Sequence, residues 1–226
     1  MKKERLIEIV RALLVIFLYF FSANFQYLAV FLFRMDLKNF TMRDQVIVST
    51  FADILLLILI VLIYRKELIQ EFKRYKNNFQ EDFDIGLRYW FVGLIIMMIS
   101  NVLIARFTPL QSSNNETAVQ TMIGSSPLLM LITAGILAPI IEEITFRKTF
   151  RGIFKNKWIF CFVSGFIFGL LHVLGNATTP FEYLYIIPYG SLGFFFAYSY
   201  DKTDTVFTSM TMHAIHNTVL ILISIL

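Results

Sequence analysis

The sequence is poor in charged residues, in cysteine and in the short motifs that mark common hydrolases. Charged residues make up 16% of the 226 residues, whereas soluble domains usually carry about 25%. A single cysteine, Cys161, excludes a disulfide framework within the chain. No serine or cysteine stands in a G-x-S-x-G context, and Ala214 and Ile215 follow His213 where H-E-x-x-H would need a glutamate. These absences argue against a water-soluble domain, a nucleophile elbow and the usual helical zinc-protease signature.

Long apolar runs are what the sequence has instead. Hydrophobic residues make up 57% of the chain, with 25 phenylalanines, and a membrane span needs about 20 mostly apolar residues. We therefore predict an all-α, polytopic transmembrane helical bundle of about seven spans, with kinks at Pro139 and Pro188. The first run stays apolar for its whole length and lacks a small-x-small cleavage site, so we interpret it as a retained anchor. The predicted spans are 12–33, 46–64, 89–105, 127–146, 158–175, 181–200 and 206–226.

The basic residues between the runs predict the orientation of the chain. With a cytoplasmic N-terminus, seven spans place 16 of the 20 lysines and arginines on the cytoplasmic side, as the positive-inside rule requires. The C-terminus is then external, in what we expect to be a bacterial plasma membrane. Because topology explains the net charge of +4, we predict no nucleic-acid partner.

Two connections divide the chain into the segments that we expect. Segment 65–88 has apolar residues at spacings of three to four with basic residues between them, which indicates either an interfacial amphipathic helix or a solvated cytoplasmic loop. Segment 106–126 is polar, and we expect it to be external and flexible. We assign residues 1–125 to N-terminal spans with the cytoplasmic amphipathic loop and residues 126–226 to a catalytic core, together forming one integrated membrane domain.

A pair of carboxylates ends the fourth predicted span. Glu143 and Arg147 stand four residues apart, so they can pair on one helix face. Glu142 lies about 100° around the helix and cannot share that arginine equally. Ionisable residues inside a span are costly and are functional-site hypotheses by default. Glu142 is therefore a candidate general base, although charges at a cytoplasmic helix end are also ordinary.

A single histidine lies within the fifth predicted span. Phe168 precedes His172 by one turn and is expected to pack beside its ring. Gly165 and Gly169 would let a neighbouring helix approach closely. Taken alone, such a histidine is more often a structural hydrogen-bonding residue than a catalyst.

The last predicted span holds the other two histidines. His213 and Asn217 stand four residues apart and point to one face, whereas His216 points elsewhere and is predicted to lie outside the site. An imidazole and an amide aimed together can stabilise an oxyanion. Interhelical hydrogen bonding would explain this pair equally well in isolation. Together, the three groups supply a base, a possible proton shuttle and oxyanion donors.

These three groups, Glu142-Glu143-x-x-x-Arg147, Phe168-x-x-x-His172 and His213-x-x-x-Asn217, resemble the motifs of a known family. It is the CAAX-protease and bacteriocin-processing family, also called Abi proteins, which includes the type II prenyl-protein endopeptidase. The resemblance covers about residues 127–226 and shows no departure at the motif positions. Its members are intramembrane glutamate-dependent proteases.

The resemblance implies a role for each motif residue. Glu142 and His172 would activate a water that attacks the scissile carbonyl, and His213 and Asn217 would stabilise the oxyanion. Glu143, Arg147 and Phe168 would support the site. The resemblance thus implies no cofactor, with zinc at Glu142, His172 and His213 as the alternative. The expected partners are the lipid bilayer and a membrane-associated peptide or protein substrate.

Two other functions fit the same spans. One is a non-catalytic bacteriocin immunity or regulatory protein, which would survive the loss of Glu142. The other is a proton-coupled transporter with Glu142 and His172 as a relay. No inverted repeat relates the two halves of the sequence, which argues against the transporter.

Overall fold

The protein is described here by a computed structural model that covers residues 2–226, with side chains from Glu4 onward. Two of the N-terminal basic residues, Lys2 and Lys3, therefore have side chains outside the described part. The described chain is helical and contains no β-strand, which confirms the prediction of an all-α membrane bundle. Its α-helices are α1 Lys2–Phe21, α2 Phe25–Leu32, α3 Met42–Asn77, α4 Phe79–Phe107, α5 Asn114–Ser125, α6 Pro127–Ile132, α7 Ala138–Glu143, α8 Thr149–Ile153, α9 Lys157–Val173, α10 Ile186–Thr203 and α11 Val206–Ile225.

Every predicted span falls on a helix, but not every helix has the length and apolarity of a span. Five helical stretches do, and they begin at Glu4, Met42, Phe79, Pro127 and Val206. The chain is therefore an integral membrane protein. Helix α9 is apolar but has only 17 residues, and α10, with 18 residues, is not among the five. The predicted total of seven spans is not confirmed.

The two connections are more ordered than the sequence suggested. Helix α3 continues to Asn77 and α4 begins at Phe79, so the expectation of a solvated loop over 65–88 is wrong and the segment is helical almost throughout. The expectation of a flexible segment over 106–126 is wrong for its second half, which forms α5. Pro188 lies in the first turn of α10, where a proline replaces an N–H that has no helical partner and needs no kink.

The chain folds into two compact units. The first unit contains residues 1–70, 120–153 and 213–226, and the second contains residues 71–119 and 154–212. Each unit draws on residues from both sides of the predicted division at 125/126, which stays a prediction. The motif residues also divide, because Glu142, Glu143, Arg147, His213 and Asn217 belong to the first unit while Phe168 and His172 belong to the second.

In the first unit, polar side chains connect α3 to the helical stretch 127–153. The Thr50 and Thr133 hydroxyls are 2.6 Å apart, and the Thr149 hydroxyl donates to the Tyr64 oxygen at 3.2 Å. All four side chains are buried. Such hydrogen bonds fix the relative orientation of two membrane helices, which apolar contacts alone determine only weakly.

In the second unit, glycines bring α9 and α10 into backbone contact. A Cβ atom on Gly169 would lie 2.6 Å from the Ile186 carbonyl oxygen, and one on Gly165 would lie 2.8 Å from the Gly190 carbonyl oxygen. No side chain fits in that space. The predicted role of Gly165 and Gly169 as a close-packing surface is confirmed.

Candidate active site

The helix that carries Glu142 and Glu143 is interrupted on both sides of them. A π-helical turn at Thr133–Leu137 precedes α7, and a second one at Ile144–Lys148 follows it. Such turns are rare and occur frequently at functional sites. The first ends directly before α7, whose second residue is Pro139, so the helix departs from regular geometry where the proline predicted a kink.

Two side chains of α11 complete the hydrogen bonding of the first π turn. The Ala138 N–H donates to the Thr133 carbonyl five residues back, and in the same pattern Pro139, which has no N–H, would leave the Ala134 carbonyl without its donor. The Asn217 amide donates to the Ala134 carbonyl at 2.9 Å, and the Thr218 hydroxyl donates to the next carbonyl, that of Gly135, at 3.4 Å. Asn217 therefore holds α11 against this turn.

Glu143 is fully buried and compensated by two neighbours. One carboxylate oxygen lies 3.1 Å from Nε of Arg147, and both side chains are 0% exposed. The other oxygen lies 3.0 Å from Nδ1 of His213. A carboxylate can only accept, so Nδ1 carries the proton, and in the neutral ring Nε2 has the lone pair. The predicted pairing of Glu143 with Arg147 is confirmed, and Glu143 additionally orients His213.

Glu142 is the carboxylate with access to open space. Its side chain is 17% exposed and lines a cavity of about 330 Å³. The His213 ring is one of its neighbours, with Nε2 3.8 Å from Oε2 of Glu142. That separation is too long for a hydrogen bond and short enough for attraction once the ring is protonated. The two adjacent glutamates thus differ in environment, as their positions on the helix predicted.

The cavity beside Glu142 is formed entirely within the first unit. It is large enough for a small part of a peptide, since ligand pockets begin at about 300 Å³. Apart from Glu142, the polar residues that line it were not identified from the sequence. The lining residues are Tyr19, Phe20, Ser22, Ala23, Gln26, Ala52, Asp53, Leu56, Ala138, Ile141 and Glu142.

In the second unit, His172 lies between two aromatic rings. The Phe168 ring centroid is 4.4 Å from that of His172, which confirms the predicted packing, and the Tyr189 ring stacks on it at 4.7 Å and 25°. Nδ1 of His172 lies 2.8 Å from the Phe168 carbonyl oxygen. Because a carbonyl only accepts, Nδ1 carries the proton and Nε2 is the basic nitrogen of the neutral ring.

Tyr189 is itself held by a segment outside the predicted catalytic core. Its hydroxyl lies 2.8 Å from that of Ser113 and accepts a longer bond from the Asn115 amide at 3.4 Å. Neither motif spacing nor helical periodicity could have identified Tyr189, because its partners are separated from it by more than 70 residues. A tyrosine of this kind resembles any other aromatic residue of a span until the packing is known.

The structure thus assembles one part of the predicted site within the first unit. It brings Glu142, Glu143, Arg147 and His213 together. It also places Asn217 of α11 in contact with the backbone of the helical stretch that carries the two glutamates. Among residues 2–226, no group of three histidine, cysteine, aspartate or glutamate side chains is arranged to hold a metal ion. The zinc alternative at Glu142, His172 and His213 gains no support from this arrangement.

Comparison with known proteins gives a family match over part of the chain. Residues 124–219 match the family model for type II CAAX prenyl endopeptidases, called Rce1-like. This segment of the chain is similar to the Rce1-like family. It contains all seven predicted motif residues, so the resemblance inferred from their spacing is confirmed.

Three bacterial relatives extend the match beyond that segment. A protein of Bacillus subtilis (strain 168) named a putative membrane peptidase, YdiL, is 25% identical over 187 residues, which cover 79% of this chain and 70% of YdiL. The UPF0177 protein YxdF of Lactococcus lactis subsp. lactis (strain IL1403) is 27% identical over 146 residues, which cover 62% of this chain and 78% of YxdF. A second UPF0177 protein from that strain, YbdI, is 30% identical over 115 residues, covering 47% and 63%.

No solved structure matches the chain. The Rce1-like segment and the peptidase name of one relative support a membrane protease. The residues that would perform the reaction, and the substrate, are matters for proposal.

Proposed function

We propose that the protein is an intramembrane endopeptidase that uses Glu142 and His172 to activate water. Its substrate would be a membrane-associated peptide or protein, and the membrane would be a bacterial plasma membrane with the N-terminus of the protein cytoplasmic. The main support is the asymmetry of the two glutamates. Glu143 is buried between Arg147 and His213, whereas Glu142 opens into a cavity of about 330 Å³.

The proposed reaction is a general-base hydrolysis. Glu142 takes a proton from water, and the resulting hydroxide attacks the carbonyl carbon of the scissile peptide bond. The basic Nε2 of His172 assists this proton transfer. The tetrahedral oxyanion is stabilised by His213 and by the second N–H of Asn217. Cleavage of the C–N bond then yields a new carboxylate and a new amine.

Glu143 and Arg147 would support this chemistry without touching the substrate. Glu143 fixes Nδ1 of His213, so the ring presents Nε2 toward Glu142. Arg147 balances the buried charge of Glu143. The arrangement is similar in logic to a carboxylate that orients a catalytic histidine in hydrolytic triads.

The decisive experiment is proteolysis by purified protein in liposomes. The probe is a library of quenched fluorescent peptides, each attached to an apolar membrane anchor. We expect wild type to cleave a subset and Glu142→Gln to lose about 10²–10⁴-fold in rate, the usual contribution of a general base. The control is Asp44→Asn, which also turns a carboxylate into an amide but lies outside the cavity, near the start of α3.

Two outcomes would contradict the proposal: wild type cleaves no peptide of the library, or Glu142→Gln cleaves as fast as wild type. An immunity or regulatory protein that acts only by binding would keep its protective effect in cells that carry Glu142→Gln. A peptidase would lose any effect that depends on cleavage.

A further inference from the structure

The cavity beside Glu142 contains a second carboxyl group, Asp53, which belongs to none of the three motifs. Asp53 lies on α3, and Ala52 and Leu56, its neighbours on the same face of that helix, line the cavity with it. The two carboxyl groups are close enough to interact electrostatically, and Tyr19 lines the cavity with them. The cavity therefore presents two acids to whatever occupies it.

The two carboxyl groups have different surroundings. Glu142 has the His213 ring at 3.8 Å. Among the described residues, no hydrogen bond and no ion pair reaches Asp53. An ionised carboxylate without a partner is costly inside a membrane protein, and two neighbouring carboxylates do not both ionise readily. The surroundings of Asp53 therefore favour its neutral form.

A pair of acids with unequal environments assigns the two roles of acid–base catalysis. Proteolysis needs both, because the attacking water loses a proton and the departing amine gains one. The proposed function assigns the base to Glu142 and leaves the acid unassigned. Asp53 lines the same cavity as Glu142.

We propose that Asp53 is a further catalytic residue, the general acid that protonates the leaving amine. This rests on the proposed function. In the step, Glu142 has already taken a proton from the attacking water. The C–N bond of the tetrahedral intermediate breaks, its electron pair stays on nitrogen, and the carboxyl proton of Asp53 moves to that nitrogen. Asp53 is left as a carboxylate, which recovers a proton from Glu142 directly or through a water, and the pair returns to its starting state.

An amide and an ester of the same peptide separate this role from a structural one. An alkoxide is a far better leaving group than an amine anion, so ester cleavage depends little on a general acid. We expect Asp53→Asn to lower kcat about 10²–10⁴-fold on the fastest-cut library peptide, with KM little changed. On the ester analogue the variant should cleave close to the wild-type rate. Asp53→Glu should restore part of the amide activity.

Two outcomes would overturn the inference. The first is amide cleavage by Asp53→Asn at the wild-type rate. The second is an equal loss of amide and ester cleavage, which would indicate damage to the site as a whole. The unfolding temperature of Asp53→Asn should match that of wild type, because no hydrogen bond is lost.

Glu142→Gln separates the two proposals. If it abolishes both activities while Asp53→Asn cleaves normally, only the role of Asp53 fails, and if both variants cleave normally, the proposed function fails as well.

Discussion

In each unit, an ionisable group of the predicted site is kept in place by its neighbours, but the kind of contact differs between the two units. In the first unit, Glu143 is surrounded by opposite charge, with Arg147 on one side and the His213 ring on the other. In the second unit, His172 lies between two aromatic faces and donates to a backbone carbonyl. Charge compensation fixes a group strongly but fails badly when one partner is removed. Ring packing is weaker for each contact and degrades gradually.

We therefore expect the largest loss of stability when one of the charged partners of Glu143 is removed. Arg147→Met should leave Glu143 buried with half of its compensation, and breaking such a pair costs about 3–5 kcal/mol. We expect a sharp fall in the unfolding temperature in detergent, together with loss of proteolysis. Arg147→Lys, which keeps the charge, should lose less. Unchanged stability of Arg147→Met would mean that Glu143 does not depend on this arginine.

Gly169→Ala tests the close contact between α9 and α10, the helices that carry His172 and Tyr189. The added methyl would lie 2.6 Å from the Ile186 carbonyl and 2.8 Å from the Gly190 nitrogen, so α9 and α10 must separate. Overpacking of this kind costs about 1–3 kcal/mol. Gly152→Ala is the matched control, since its Cβ would meet nothing within 4 Å. Equal unfolding temperatures for the two variants would contradict the close contact.

Asn217→Ala separates structural from catalytic use of that amide. Loss of its partly buried bond to the Ala134 carbonyl should cost about 0.5–1.5 kcal/mol, the usual net contribution of a hydrogen bond. Thr218→Val removes only the longer bond to Gly135 and should cost less. If Asn217→Ala loses proteolysis at full stability, the bond to the π turn is dispensable and the amide acts on substrate alone.

Tyr189 offers the mildest test, on the aromatic side. Tyr189→Leu removes a stacked ring, worth about 0.5–1.5 kcal/mol, and should slow proteolysis of the fastest-cut peptide moderately through looser placement of His172. Tyr189→Phe keeps the ring and loses only the hydroxyl contacts with Ser113 and Asn115. It should cleave faster than Tyr189→Leu. Equally reduced rates for the two variants would show that the hydroxyl matters and not the stack, and wild-type rates for both would show that neither does.

Local spacing made much of the fold and part of the site predictable. Apolar runs identified the helices because a membrane imposes a length on each span. The i, i+4 rule identified Glu143 with Arg147, and Phe168 with His172, because both contacts lie within one helix turn. The glycine pair was predictable for a similar reason, since Gly165 and Gly169 stand on one face of α9.

Contacts between distant segments were not predictable in this way. Asp53, Tyr19 and Tyr189 reach the candidate site residues only through tertiary packing, and nothing in the local sequence of the two tyrosines distinguishes them. The helical character of 65–88 was also uncertain, because an amphipathic pattern with many charges suits a solvated segment as well as a helix that continues from a span. One signal was available for Asp53: it is a lone acid inside an apolar run.

The two π-helical turns around α7 determine how the position of Glu142 responds to a change in chain length. A turn closed at five residues holds one residue more than an α-helical turn, and each residue of a helix rotates the following ones by about 100°. A π turn takes up its additional residue locally, so deletion of one residue within Thr133–Leu137 would restore α geometry without passing that rotation on to Glu142, which would still face the cavity. An alignment gap of a single position within this turn is therefore compatible with an intact site, whereas a gap within α7 itself is not.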